Sequence, residues 1–301
     1  MVLLLRGTIH MTTIYDYLDW RGDLPFTTEP FNEVDNAILS LLSYVHYDDI
    51  PNIETTFQPL HKIRDEFYKL HTREEIAEIE TYNGVNARLL DKVSDTERFK
   101  DIKIGYYISY TDKDFVVQFS AVTFKLDDMI YISYRGTDNT FIGWKEDFHM
   151  TYMKEIPAQK HALQYLQDFF AQHPNQKVVL AGHSKGGNLA VYAASQLDPL
   201  LQKNIVAVYT FDAPGLHKEL TETAGYQNMM ERTKVFVPQG SIIGMMLEIP
   251  DKKIVVRSTA LGGLAQHDTF SWQVEDKHFV QLEEISSESL QIKDTLKEWV
   301  D

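Results

Sequence analysis

The sequence predicts an α/β fold: a mainly parallel central sheet with helices on both faces, preceded by a helical section. Two observations carry this. From about residue 103, β-branched and aromatic runs alternate with segments of helical period. Two of those runs, Val178-Val-Leu-Ala181 and Ile205-Val-Ala-Val-Tyr-Thr-Phe211, are almost wholly apolar, as strands buried on both faces are. No repeat, low-complexity tract or Gly/Pro/Ser-rich linker interrupts the chain. Residues 1–301 are therefore expected to form a single domain, with an N-terminal helical section over 1–100 as a decoration and a core over 101–301.

Taken in order, Val34, Ile38, Leu41, Leu42 and Val45 recur at helical spacing behind Asn32, which predicts a helix over roughly 33–46. Residues 58–70, 74–80 and 84–92 read as further helices. Three consecutive strands follow, over 102–110, 115–124 and 129–134, with turns expected at Asp112–Asp114 and Lys125–Asp128. Ala162, Leu163, Leu166, Phe169 and Phe170 mark a helix over 158–172, which Pro174-Asn175 ends. A strand at 178–181, a helix at 185–197 and a strand at 205–211 come next. Strands at 235–237 and 254–256 and a closing helix over 290–300 complete the pattern.

Composition removes several classes of function. The chain has 44 acidic against 29 basic residues, a net charge of −15. Such a charge repels phosphate backbones and anionic lipid surfaces at long range, so no nucleic-acid partner is expected. The absence of cysteine excludes disulfides, thiolate zinc sites, iron–sulfur clusters and cysteine nucleophiles. The apolar run Val2–Leu5 is far below the roughly 7–15 residues of a signal-peptide core. Nothing approaches the ~18 apolar residues of a membrane span. Met11 lies just before Thr-Thr-Ile-Tyr15, so residues 1–10 are read as an upstream start. The expectation is a soluble cytoplasmic protein without an integral membrane segment. With no H-E-x-x-H, no Walker-type loop and no G-x-G-x-x-G after a strand, neither a metal nor any cofactor is expected.

The chemistry concentrates at Gly182-His183-Ser184-Lys185-Gly186-Gly187. This is G-x-S-x-G, placed directly after an apolar strand and before a helix, the context a nucleophile elbow requires. Small residues two before and two after the serine allow a tight strand-to-helix turn that presents Ser184 at the sheet edge. The N–H groups that follow, at the positive end of a helix, can stabilise an oxyanion.

Upstream, Tyr134-Arg135-Gly136-Thr137-Asp138 follows the third strand, with Trp144 and Asp147 soon after. Together with the elbow, this segment resembles the class 3 lipases of the α/β-hydrolase superfamily over roughly residues 100–280. More closely, nearly the whole chain looks like a family of uncharacterised bacterial lipase-like proteins. That match rests on Tyr17-Leu-Asp-Trp-Arg-Gly-Asp23 with Phe31-Asn-Glu-Val-Asp35, on Phe211-Asp-Ala-Pro-Gly215 and on Gln266-His-Asp-Thr-Phe-Ser-Trp272. The resemblance implies an α/β-hydrolase fold. It also implies that the Thr137 N–H, often with its hydroxyl, forms half of an oxyanion hole. The N–H of Lys185 supplies the other half, as the elbow geometry independently suggests. Arg135 is implied to be a structural anchor. Phe141–Met153 corresponds to the lipases' lid, although an ordinary core-facing helix fits the same residues.

A serine nucleophile needs a base, and chain order leaves His217, His267 and His278 after Ser184. His217 lies only five residues from Asp212, in the same connection. His267 matches the family's histidine and follows the small-residue loop 260–265, before a strand expected near 270–274. The acid departs from the family's pattern. In Val235-Phe-Val-Pro-Gln-Gly-Ser241, the position expected to be Asp is Ser241. Asp212, at the end of the preceding strand, is the first candidate, and a dyad supported by Ser241 is the rival. Asp268 adjoins His267 awkwardly in sequence. The reading is a serine hydrolase that cleaves carboxylic esters of short-to-medium acyl chains through an acyl-enzyme on Ser184. The alternative is a catalytically impaired pseudo-hydrolase that binds an acyl ligand or a protein partner.

Overall fold

The computed structural model describes residues 12–79, 82–138 and 141–300; the upstream start read at 1–10 lies outside them. The chain begins with α1 (Ile14–Arg21), whose Thr13 N–H donates to Asp16, and α2 (Glu33–Leu42), capped by Asn32, whose side chain accepts the N–H groups of Val34 and Asp35. The first of these helices was not singled out by periodicity. The second stops at Leu42, short of the expected 46, because Tyr44 and Val45 turn back onto the carbonyls of Leu41 and Leu42. Val45 is nevertheless buried, which prolongs the apolar period past the helix.

Next come β1 (Gln58–Pro59), α3 (Leu60–Leu70), α4 (Arg73–Glu78) and α5 (Tyr82–Ser94). The hairpin strands β2 (Lys103–Asp112), β3 (Val117–Leu126) and β4 (Met129–Tyr134) follow. The turn expected at Lys125–Asp128 tightens to Asp127-Asp128, with Asp127 at φ 47°. Then α6 (Phe141–Met150) and α7 (Pro157–Gln172) precede β5 (Val178–His183), α8 (Lys185–Gln196), α9 (Pro199–Gln202) and β6 (Ile205–Phe211). After α10 (Lys218–Thr221), α11 (Ala224–Met230), β7 (Thr233–Pro238), β8 (Ile254–Val256) and α12 (Gly263–Gln266), the expected strand near 270–274 is mostly a 3-10 turn, Thr269–Ser271. Asp268 caps that turn by accepting the Phe270 N–H. A short ribbon of β9 (Val274–Glu275) and β10 (His278–Phe279), then β11 (Gln281–Leu282) and α13 (Ser287–Val300), complete the chain.

The sheet runs β1-β2-β3-β4-β5-β6-β7-β8-β11. Its centre, β4 to β8, is parallel, and both flanks are antiparallel. This is an α/β arrangement with a parallel centre, as expected, and with more antiparallel flank than the sequence reading gave it. Alternation along β5 shows the layering. Val179 and Ala181 belong to the apolar cluster that includes residues of α2, α3 and α5, whereas Val178 and Leu180 belong to the cluster that includes residues of α7 and α8. A strand read by two apolar layers cannot alternate polar and apolar, so its sequence is continuous. The N-terminal helices therefore supply one of the two layers over the sheet. At their centre Asp35 and Arg98, both fully buried, form a 2.5 Å ion pair. Arg98 also donates to the carbonyls of Leu24, Glu29 and Pro30, and Tyr17 donates to Asp35. No helix among the described residues is long and apolar enough to cross a membrane.

Candidate active site

Between β5 and α8 the chain reverses at Ser184, whose φ of 57° is costly for any residue with a Cβ. The neighbours make the turn possible. A Cβ on Gly182 would fall 2.1 Å from the Gly186 carbonyl carbon, and one on Gly186 would fall 2.1 Å from the Tyr134 carbonyl oxygen. The turn is pinned by the Ser184 N–H donating to Phe211 and the Gly187 N–H donating to Ser184. A serine before a helix commonly caps it. Ser184 does not, and instead lines a cavity of about 710 Å³ together with His267 and Thr137. Phe148, Met150, Ile243, Met246, Leu247 and Leu264 make the walls of this cavity mostly apolar.

His267 follows α12, with Nδ1 2.6 Å from Asp212 Oδ2. Asp212 directly follows β6, at φ 46°, and is fully buried. Its other oxygen, Oδ1, accepts the Ser241 hydroxyl at 2.5 Å and the Gly244 N–H at 3.1 Å. The two residues weighed as rival acids thus share one hydrogen-bonded cluster, and only Asp212 meets the imidazole. Gly244 was missed by the sequence reading, and a Cβ there would sit 2.4 Å from Asp212 Oδ1. The other candidates are occupied elsewhere. Asp268 caps its own turn, His217 Nε2 lies on the Met150 carbonyl, and His278 lies beside Glu33.

On the opposite side, the Thr137 hydroxyl contacts both carboxylate oxygens of Asp147, at 2.7 and 2.6 Å. Burial pushes the Asp147 carboxyl above its usual range, with Lys185 opposing the shift. The Lys185 side chain, considered until now only for its backbone N–H, turns into the core. Its Nζ donates to Gln118 O, Gln118 Oε1 and Glu146 Oε2 at 2.9–3.1 Å. Glu146, fully buried, also accepts the N–H groups of Gln118 and Ala158. The signal was present in the sequence: a lysine inside a buried glycine turn must have an anionic partner. Arg135 is 1% exposed and reaches Ser109 and Asp138, which suits an anchor.

Tyr44 is the largest omission, since its apolar context, Leu41-Leu-Ser-Tyr-Val45, reads simply as core. Its hydroxyl lies 2.8 Å from His183 Nδ1, and His183 Nε2 lies 2.8 Å from the His267 carbonyl. Burial first, and His267 second, hold the His183 imidazole well below the usual histidine range. Among the described residues, no group of three or more His, Asp or Glu side chains could hold a metal ion.

Residues 93–301 match the family model described as Mbeg1-like. No curated protein matches the sequence significantly. Among solved structures, the lipase–propeptide complex of Rhizomucor miehei is 18% identical with a TM-score of 0.37, covering 57% of this chain and 59% of that one. The chain thus spans about three fifths of that protein's length. A lipase from Rhizopus microsporus var. chinensis is 15% identical with a TM-score of 0.40, covering 76% and 74%. A mutant of MDLA from Penicillium cyclopium is 10% identical with a TM-score of 0.46, covering 84% and 87%.

Proposed function

From the premise that the chain belongs to the Mbeg1-like family, we propose that it is a serine hydrolase cleaving carboxylic esters through an acyl-enzyme on Ser184. The observation that carries this is one arrangement: a strained serine and an Asp212-held histidine lining the same apolar cavity. Since Nδ1 of His267 faces Asp212, its Nε2 is left to take the Ser184 proton as the hydroxyl oxygen attacks the ester carbon. The N–H groups of Thr137 and Lys185 receive the oxyanion, and Asp147 fixes the Thr137 side chain beside them. His267 then returns the proton to the leaving alcohol. Water, deprotonated by the same imidazole, releases the acid and regenerates Ser184. The Ser241 hydroxyl and Gly244 N–H both donate to the Asp212 carboxylate and fix its orientation toward His267. No cofactor enters this scheme. We assign the protein to the cytoplasm on its acidic, cysteine-free composition.

The pseudo-hydrolase alternative drew on the missing carboxylate at position 241. Asp212 supplies a carboxylate to His267 from the neighbouring strand, which favours the active reading. A serine-reactive fluorophosphonate should label the wild-type chain and not Ser184→Ala, with ester hydrolysis lost in parallel and the variant still folded. Esters of four to ten carbons should surpass acetate in kcat/KM, since each buried methylene is worth ~0.8 kcal/mol. An unlabelled wild type would leave binding rather than catalysis as the function.

A further inference from the structure

We infer that Tyr44 and His183 are positioning residues that tie the loop bearing His267 to the loop bearing Thr137. The inference deepens the serine-hydrolase reading, and its kinetic arm rests on that reading.

Hydrogen-bond chemistry fixes the direction of the chain. His183 Nε2 lies 2.8 Å from the His267 carbonyl oxygen, which can only accept, so Nε2 carries the proton. The ring is fully buried and neutral, its basicity suppressed by burial and by His267. Nδ1 is then a bare lone pair, and the Tyr44 hydroxyl 2.8 Å away must be its donor. Tyr44 O–H therefore donates to His183, and His183 donates to the backbone of His267. On its other side the Tyr44 oxygen packs closely against Gly136, the residue before Thr137. A Cβ at Gly136 would fall 2.0 Å from that oxygen, so glycine is what lets the phenol approach. One buried hydroxyl thus holds both sides of the cavity in register.

Electrostatics gives His183 a second reason to be neutral. Its ring centroid is 4.4 Å from that of His267. A protonated His183 would oppose the positive charge that His267 gains when it takes the Ser184 proton. Tyr44 follows α2 and precedes residue 93, where the match to the family model begins. The helical section before that point thereby contributes a side chain to the site rather than only covering the sheet.

The test uses the full chain and p-nitrophenyl butyrate. Tyr44→Phe keeps the ring and removes the donor. It should lower kcat about tenfold per titrated active site and leave KM within about twofold. Glutamine at 183 can donate to the His267 carbonyl and accept from Tyr44, whereas leucine can do neither. His183→Gln should therefore stay within about tenfold of wild type while His183→Leu falls about a hundredfold or more. A merely structural role would reduce the titre of active sites instead of the rate at each one. Nitrogen-15 NMR of the wild type should show His183 protonated at Nε2 alone at neutral pH, with its Nδ1 resonance moving in Tyr44→Phe. Unchanged kcat in Tyr44→Phe, or glutamine no better than leucine at 183, overturns the positioning role. A His183 protonated at Nδ1 overturns the hydrogen-bonded chain even without kinetics. If the wild type neither hydrolyses esters nor takes the phosphonate, the hydrolase reading fails and takes the kinetic claim with it, while the NMR result still decides the chain.

Discussion

Asp212 has three neighbours whose chemistry differs: an imidazole on Oδ2, and a hydroxyl and a backbone N–H on Oδ1. On the proposed mechanism only the first changes charge during turnover. Asp212→Asn should therefore cost on the order of 10³–10⁴ in kcat, because the favoured histidine tautomer and the compensating charge are both lost. Ser241→Ala removes one neutral donor and should cost no more than about tenfold. Steady-state kinetics on variants with unchanged circular dichroism checks the ranking, and the reverse order would make Ser241 the residue that supports the base. Both positions were legible in the sequence, one as an acid ending a strand and the other as a serine where a lipase has Asp. Their direct bond was not. It depends on the relative placement of two connections, the ends of β6 and β7, that no local pattern encodes. Tyr44 was illegible for a related reason: a tyrosine in an apolar run looks like core until its hydroxyl is seen to meet His183.

Helix α6, the segment that the resemblance to lipases reads as a lid, is fastened to the sheet. Glu146 pairs with Lys185 in the elbow and takes N–H groups from β3 and α7, while the next residue, Asp147, holds Thr137. Swinging the helix outward would separate a fully buried ion pair. Removing one partner of such a pair typically costs about 3–5 kcal/mol, whereas an apolar replacement of both is often neutral. Glu146→Gln and Lys185→Met should each lower stability by about that amount, and the double variant Glu146→Gln/Lys185→Met should lose clearly less than the sum of the two, because neither charge is then left unpaired. Urea denaturation of the single and double variants measures the coupling. Additive losses would mean that the pair does not hold the helix. The sequence left α6 undecided between lid and core-facing helix, because its apolar residues serve both readings. The deciding contact comes from Lys185, which was read there only for its N–H. Helix ends were the other loss at this scale. The apolar spacing runs through Val45 although the hydrogen-bonded helix ends at Leu42, since burial outlasts helical geometry.

At the scale of the whole molecule, the two layers over the sheet have unequal histories in the sequence. The layer of α7 and α8 alternates with strands and was legible from period alone. The N-terminal helices looked like an addition to the core, because nothing in their own pattern says which surface they cover. Yet they share one apolar cluster with Val179, Ala181 and Phe211, on the strands that lead into Ser184 and Asp212. Their internal tie is the buried Asp35–Arg98 pair, which joins α2 to the segment leading into β2. Asp35→Ala leaves Arg98 buried without an anionic partner, among backbone carbonyls and the Phe26 ring, a loss of about 3–5 kcal/mol. If the chain folds as one domain, that loss must appear everywhere at once. Ester hydrolysis, far-UV circular dichroism and tryptophan fluorescence, which reports on buried Trp272 as well as exposed Trp20, should lose signal at one urea concentration. In Asp35→Ala that common midpoint should move down as a unit. An N-terminal section that melted first, leaving the Trp272 environment and the hydrolysis intact, would show that the helical layer is separable after all. It would also remove the reason for expecting Tyr44 to be held in the site by the fold around it.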